Sequence, residues 1–148
     1  MKIKILLALL ATMTITLSTQ AAETKTSAAH KAHAATKATV AILEPTDGAT
    51  VATTFTVKFG AEGVAIVPAG TIQENSGHHH LLIDVEEMPN LHAPLPMTAN
   101  LVHFGKGQTE TEITLAPGTH TLQLMIGNHA HIPGDKPTMS KKITVTVK

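Results

Sequence analysis

Apolar and polar residues alternate in short runs from Thr39 to the end of the chain. A period of two is typical of strands that bury one face, because successive side chains of a strand point to opposite faces. No window of this part has a helical period of useful length, and turns rich in Gly and Pro separate the runs. The predicted strands lie at residues 40–42, 55–59, 79–85, 101–104, 109–115, 119–126 and 141–147.

About seven short strands joined by tight turns favour one particular all-β architecture. They fit an immunoglobulin-like sandwich, in which two sheets pack face to face around a single core. We therefore predict one β-sandwich domain over residues 39–148. An open barrel is the alternative arrangement for the same strands.

The first 38 residues do not share this pattern. Residues 1–21 begin with Lys2 and Lys4, continue with an apolar stretch and end in small residues, which is the order found in a secretory signal peptide. The apolar stretch is too short for a spanning helix, although an uncleaved anchor is the alternative. Residues 22–38 contain no Ile, Leu, Val, Met or Phe, and we expect a flexible linker. The sequence thus predicts export to the periplasm without stable membrane insertion after signal removal.

Composition removes several classes of function. The chain has no Cys, so disulfides, thiolate metal sites and thiol catalysis are excluded. The formal net charge is zero and Arg is absent, which argues against a nucleic-acid partner, since such proteins present a basic face. Histidine stands out instead, with 10 residues in 148.

The histidines indicate a metal site. His78 and His80 lie two residues apart on one strand, so their imidazoles project from the same face. His129 and His131 form a second such pair after a later strand, and His103 lies near another strand end. Loops cluster at the ends of a sandwich, where residues distant in sequence can meet. We predict a site built from His78 and His80 with one or two of His103, His129 and His131.

Copper is the preferred ion and zinc the second choice. Imidazole suits both metals, and divalent copper ranks first in affinity at sites of this kind. The neighbouring loops also carry Met88, Met97 and Met139, whose thioethers suit monovalent copper. The remaining histidines have simpler interpretations. We expect His79 and His120 to be interior or boundary residues and His92 to be solvated.

Three functions are compatible with these residues. The first is a copper or zinc carrier or buffer without catalysis. The second is a metal-free module that binds another envelope protein through its loops, including the Pro-rich loop at residues 86–99, which is otherwise expected to be a plain connector. The third is a histidine-ligated metalloenzyme, which needs an open coordination position and a general base. Glu110 or Asp84 would supply that base.

Several strings of the sequence are recognisable together. They are GHHHLLID from Gly77 to Asp84, HFGKGQTET from His103 to Thr111 and HTLQL from His120 to Leu124. With the opening EPTDGATV, they make the chain resemble the domain-of-unknown-function family 4399, a group of small exported bacterial proteins. The resemblance extends over residues 40–147 and implies an exported domain of the predicted fold. It implies no activity, so the function depends on the residues themselves.

Overall fold

The computed structural model of the protein describes residues 37–148. The predicted signal peptide and all but the last two residues of the predicted linker lie outside this range. Within it the chain forms strands, turns and loops and contains no helix, so no helix there is long and apolar enough to cross a membrane. The strands are β1 (Thr39–Glu44), β2 (Thr50–Val51), β3 (Thr54–Glu62), β4 (Ala65–Ile66), β5 (Ser76–Ile83), β6 (Leu101–His103), β7 (Glu110–Thr114), β8 (Gly118–Gly127) and β9 (Ile143–Val147).

The strands belong to two separate sheets. The smaller sheet has three antiparallel strands in the order β1-β3-β7. The larger has the order β2-β9-β8-β5-β4, and β6 also pairs with β5. This arrangement confirms the predicted two-sheet sandwich. The strands that the sequence did not predict, β2 and β4, are only two residues long and pair in parallel with β9 and β5. A strand of two residues is too short for its alternation to be recognised.

The main core lies between the two sheets. Each strand contributes the apolar residues of one alternating set, as the pattern predicted. The set includes Phe59 of β3, Leu81 of β5 and Leu124 of β8, all buried. The ring centroids of Phe59 and Phe104 lie 4.9 Å apart in a tilted arrangement. Two of the three Phe residues therefore pack against each other in an otherwise aliphatic core.

A second, smaller core covers the outer face of the larger sheet. Leu82, Leu101 and Met125 point outward from β5, β6 and β8, and Leu95 packs on them from the segment between β5 and β6. The backbone N–H of Leu95 donates to the carbonyl of His131 at 3.0 Å, which ties this segment to the loop after β8. The Pro-rich segment is therefore part of the packing, whereas the sequence favoured a plain connector.

Candidate metal centre

The outer face of β5 carries the first two histidines of the site. Because side chains alternate, His78, His80 and Leu82 share this face while His79 points into the main core. Strand pairing places His80 opposite His103 of β6 on one side and opposite Met125 of β8 on the other. Directly opposed residues lie on the same face of a sheet. The register alone thus brings three imidazoles together.

A fourth imidazole comes from the loop that follows β8. His131 has a positive φ of 65°, which turns the chain back over the sheet. The side-chain Oδ1 of Asn128 accepts hydrogen bonds from the backbone N–H groups of Ala130 at 2.9 Å and Ile132 at 3.0 Å. These bonds hold the tight loop in place, and the His131 ring lies 4.8 Å from that of His78 between centroids.

These four rings form a compact group, called here the imidazole cluster: His78, His80, His103 and His131. Ring centroids are separated by between 4.6 Å, for His103 and His131, and 6.0 Å, for His80 and His131. Ligand nitrogens of His78, His80 and His103 all lie within 4.8 Å of one another. Two nitrogens bound at about 2.05 Å to a tetrahedral ion are about 3.3 Å apart. Small rotations of the rings would therefore let one ion contact all three.

Two glycines make room for the cluster. Gly127 lies opposite His78, and a Cβ atom there would come within 2.6 Å of Cε1 of His80. A Cβ atom on Gly105 would overlap Cε1 of His103. A side chain at either position would displace a ring. The absence of a side chain at these two positions is therefore part of the site.

The innermost rings are buried without hydrogen-bond partners. His78 is 0% and His80 is 1% exposed, and neither nitrogen of either ring has a partner among the described residues. Unpartnered buried polar atoms are rare and costly in folded proteins. On each of these two adjacent rings, one nitrogen lone pair is therefore available to a ligand.

Burial also keeps these rings neutral. Desolvation, reinforced by the neighbouring rings His103 and His131, lowers the pKa of His78 to about 4. Desolvation, reinforced by the neighbouring rings of His78, His103 and His131, lowers the pKa of His80 to about 3. The pKa of His103 is lowered by desolvation and by His131. A neutral imidazole has a free lone pair, so these three rings are in the protonation state that metal binding requires.

The two outer rings share a hydrogen bond. Nε2 of His103 lies 3.1 Å from Nε2 of His131, so one ring donates its proton and the other accepts it. Both side chains are half-buried and form the solvent side of the cluster. An ion that approaches from the solvent side would therefore meet these two rings before it reaches His78 and His80.

The structure leaves the fifth predicted ligand apart. His129 is exposed, and no ring contact among the described residues involves it. Its carbonyl accepts a hydrogen bond from the N–H of Gly70 at 3.1 Å. His129 and His131 are two positions apart, but the segment is a loop and not a strand, so the two side chains do not share a face. The structure thus brings four of the five predicted ligands together.

The other histidines have separate surroundings. His79 is buried in the main core with its ring 5.1 Å from that of Phe59, and neither of its nitrogens has a partner within residues 37–148. His92 is exposed, with its Nδ1 3.2 Å from a carboxylate oxygen of Asp135. The ring of His120 is held at both nitrogens, by a carboxylate oxygen of Asp84 at 2.6 Å and the carbonyl of Ala116 at 2.9 Å. The hydrogen bond with Asp84 is the main reason that its pKa is raised.

The acidic residues considered as general bases lie elsewhere. Asp84 is engaged by His120 and also accepts the N–H of Thr121 at 2.7 Å. Glu110 is exposed on β7, in the smaller sheet, at the register position of Lys58. Among residues 37–148, the donor group able to hold a metal contains histidines alone. The cluster therefore offers binding without an evident acid or base.

Some residues of the site were missed by sequence reasoning. Gly105, Gly127 and Met125 contribute through their register opposite or beside the histidines, which a single sequence does not reveal. A glycine two residues after His103 was the only sequence feature that hinted at close approach of backbone and ring.

Comparison with known proteins identifies the family. The family model for DUF4399, a domain of unknown function, matches residues 57–148. The chain belongs to the DUF4399 family. The matched region contains all four rings of the imidazole cluster, so the site lies inside the DUF4399 domain. The predicted resemblance is thereby confirmed, and it leaves the activity open.

The chain was also compared with curated sequences and with solved structures. No curated protein matches the DUF4399 chain in sequence. Among solved structures, the endo-β-1,4-mannanase from Thermotoga petrophila is similar over 76% of this chain, with 13% sequence identity and a TM-score of 0.43. The similarity extends over 20% of the mannanase chain, so this protein spans about a fifth of that enzyme's length.

Proposed function

We propose that this protein binds a copper or zinc ion through the imidazole cluster and acts as a carrier or buffer. In this proposal His78, His80 and His103 are ligands and His131 is the fourth donor. The supporting observation is that the buried nitrogens of His78 and His80 have no partner in the described part of the chain. A bound ion would accept a lone pair from each ring and offset the cost of burying it.

The donor set favours copper and zinc over other metals. Calcium and magnesium prefer carboxylate and carbonyl oxygens. The cluster offers imidazole nitrogens, which suit copper, zinc and nickel, and copper leads the affinity order among divalent first-row ions. Gly105 and Gly127 leave room for the rings of His103 and His80 at this site, because a Cβ atom at either position would displace a ring.

Carriage or storage fits the surroundings better than catalysis. A catalytic metal site needs an open position and a group that moves protons. Asp84 is committed to His120, and Glu110 is in the other sheet. The half-buried His103 and His131 instead provide a route by which an ion can arrive and leave. We also propose that residues 1–21 act as a signal peptide, since export would place the carrier in the envelope, where it would deliver the ion.

Calorimetric titration of the tag-free protein with Cu(II) and with Zn(II) tests the proposal. We expect uptake of one ion per chain by the wild type and loss of that uptake in His80→Ala. His103→Ala serves as a second variant. Because His103 is half-buried, its replacement should destabilise the fold less than the replacement of the fully buried His80. Circular dichroism checks that each variant keeps its strands.

His129→Ala is the matched control. It removes an exposed histidine two residues from His131, and we expect unchanged stoichiometry and affinity. If the wild type takes up neither of these ions and no Cu(I) under anaerobic conditions, the carrier proposal is wrong and a metal-free interaction module replaces it. If His129→Ala loses binding while His103→Ala keeps it, the ligand assignment is wrong.

A further inference from the structure

The imidazole cluster offers a cation only neutral nitrogen donors. Its donor group consists of His78, His80 and His103, without a carboxylate. Some divalent ions are bound by carboxylate ligands, and a histidine that binds a metal often donates its second N–H to a carboxylate. Neither arrangement is found around these three rings in residues 37–148.

The strand next to His80 adds an uncharged and soft neighbour. Met125 is directly opposite His80 in the pairing of β8 with β5 and is fully buried. Opposed side chains in an antiparallel pair have Cβ atoms about 4.5–5.5 Å apart. A thioether is a soft group of the kind that favours monovalent copper. The residue opposite His80 is thus neutral and polarizable.

Such surroundings discriminate between ions by charge. The free energy needed to move an ion from water into a medium of low dielectric constant grows with the square of its charge. For a divalent ion this desolvation free energy is about four times that of a monovalent ion of similar size. A carboxylate would compensate the second charge. Without one, the buried part of the cluster penalises Cu(II) and Zn(II) more than Cu(I).

We propose that the imidazole cluster selects monovalent copper over divalent copper and zinc. This inference rests on the proposed function, because it specifies which ion the same four histidines hold. The carrier then handles copper in its reduced form, and the site raises the reduction potential of any copper bound to it.

Competition titrations of the tag-free protein give the affinity order. Cu(I) is supplied without oxygen from its complex with bicinchoninate, and Cu(II) and Zn(II) are each titrated against a chelator of known affinity. We expect Cu(I) to bind roughly 1,000-fold more tightly than either divalent ion, because only the divalent ions carry an uncompensated second charge. For copper, this ratio corresponds to a potential about 180 mV above that of the aqueous ion, at 59 mV per tenfold change.

The outcomes separate this inference from the proposed function. If Cu(II) or Zn(II) binds as tightly as Cu(I), the selectivity is overturned while metal binding stands. If none of the three ions binds, the proposed function itself fails. If Cu(I) alone binds tightly, both hold.

A pair of variants tests whether charge is the cause. His103→Asp and His103→Asn place side chains of nearly the same shape at a half-buried position, and they differ by one negative charge. We expect the ratio of Cu(I) to Zn(II) affinity to fall at least tenfold in the Asp variant relative to the Asn variant. Equal ratios would refute the charge argument. If both variants lose all binding, the proposed selectivity is judged from the order of the wild-type affinities for Cu(I), Cu(II) and Zn(II).

Discussion

Nε2 of His103 and Nε2 of His131 lie 3.1 Å apart, although 28 positions separate them in the chain. This hydrogen bond joins β6 to the loop after β8 at the solvent side of the imidazole cluster. An ion bound by both rings would take the place of the shared proton. Metal binding is therefore expected to connect two segments that the apo protein holds by one hydrogen bond.

Metal should accordingly stabilise the fold. An ion that binds only the native state adds about 2.7 kcal/mol to the free energy of unfolding when its free concentration is 100 times Kd. Thermal denaturation followed by circular dichroism measures the increase in Tm with Cu(I) under anaerobic conditions. His80→Ala is expected to show no increase. An equal increase in that variant would mean that the ion binds elsewhere.

Gly105→Ala should weaken metal binding without removing any ligand. Its Cβ atom would overlap the His103 ring and rotate it away from the cluster. We expect affinity to fall by about 10- to 100-fold, as for other changes that misorient a ligand. Competition titration measures this fall.

Gly60→Ala is the matched control for that prediction. There the new Cβ atom would meet side-chain atoms of Leu43 at 3.0–3.3 Å, and Leu43 is 57% exposed and free to move. We expect its metal affinity to equal that of the wild type. A loss of affinity in both variants would indicate a general effect of replacing a glycine and not a local displacement of His103.

Stability of the apo protein should fall with acidification below about pH 6.5. Burial lowers the pKa of His78 and His79 to about 4 and that of His80 to about 3, whereas the unfolded chain binds these protons near 6.5. Since the unfolded state then holds more protons, unfolding becomes more favourable as the pH decreases towards 4. We expect a loss of about 1 kcal/mol per histidine between pH 6.5 and 5.5.

Urea denaturation at several pH values measures this dependence. His79→Leu provides an internal control, because it removes one buried imidazole outside the imidazole cluster. Its free energy of unfolding should vary less steeply with pH over the same interval. An unchanged slope would show that His79 is not held neutral by the core.

The contribution of His120 to stability should depend on pH in the opposite direction from that of the buried histidines. The Asp84 carboxylate and the Ala116 carbonyl raise its pKa, so its contribution to stability is present below pH 6.5 and is lost as the pH rises through the raised value. NMR titration of the His120 ring protons is the direct measurement. Asp84→Asn should bring the pKa back towards 6.5, and a pKa unaffected by this substitution would contradict the assignment.

The sequence by itself determined the fold class and the inner half of the site. Alternation with a period of two predicted the main strands of the sandwich, and the same period placed His78 and His80 on one face of β5. These features depend on neighbouring residues in one strand, whose geometry is local. The recognisable strings around Gly77–Asp84 also indicated the family.

Only the tertiary structure decided which other histidines join them. His103 reaches His80 through the register of β6 with β5, and Gly127 leaves space because β8 pairs with β5 at that position. The choice of His131 over His129 depends on a positive φ and on the Asn128 hydrogen bonds that shape the loop. Register and loop conformation result from contacts between distant segments, so spacing along one chain does not specify them.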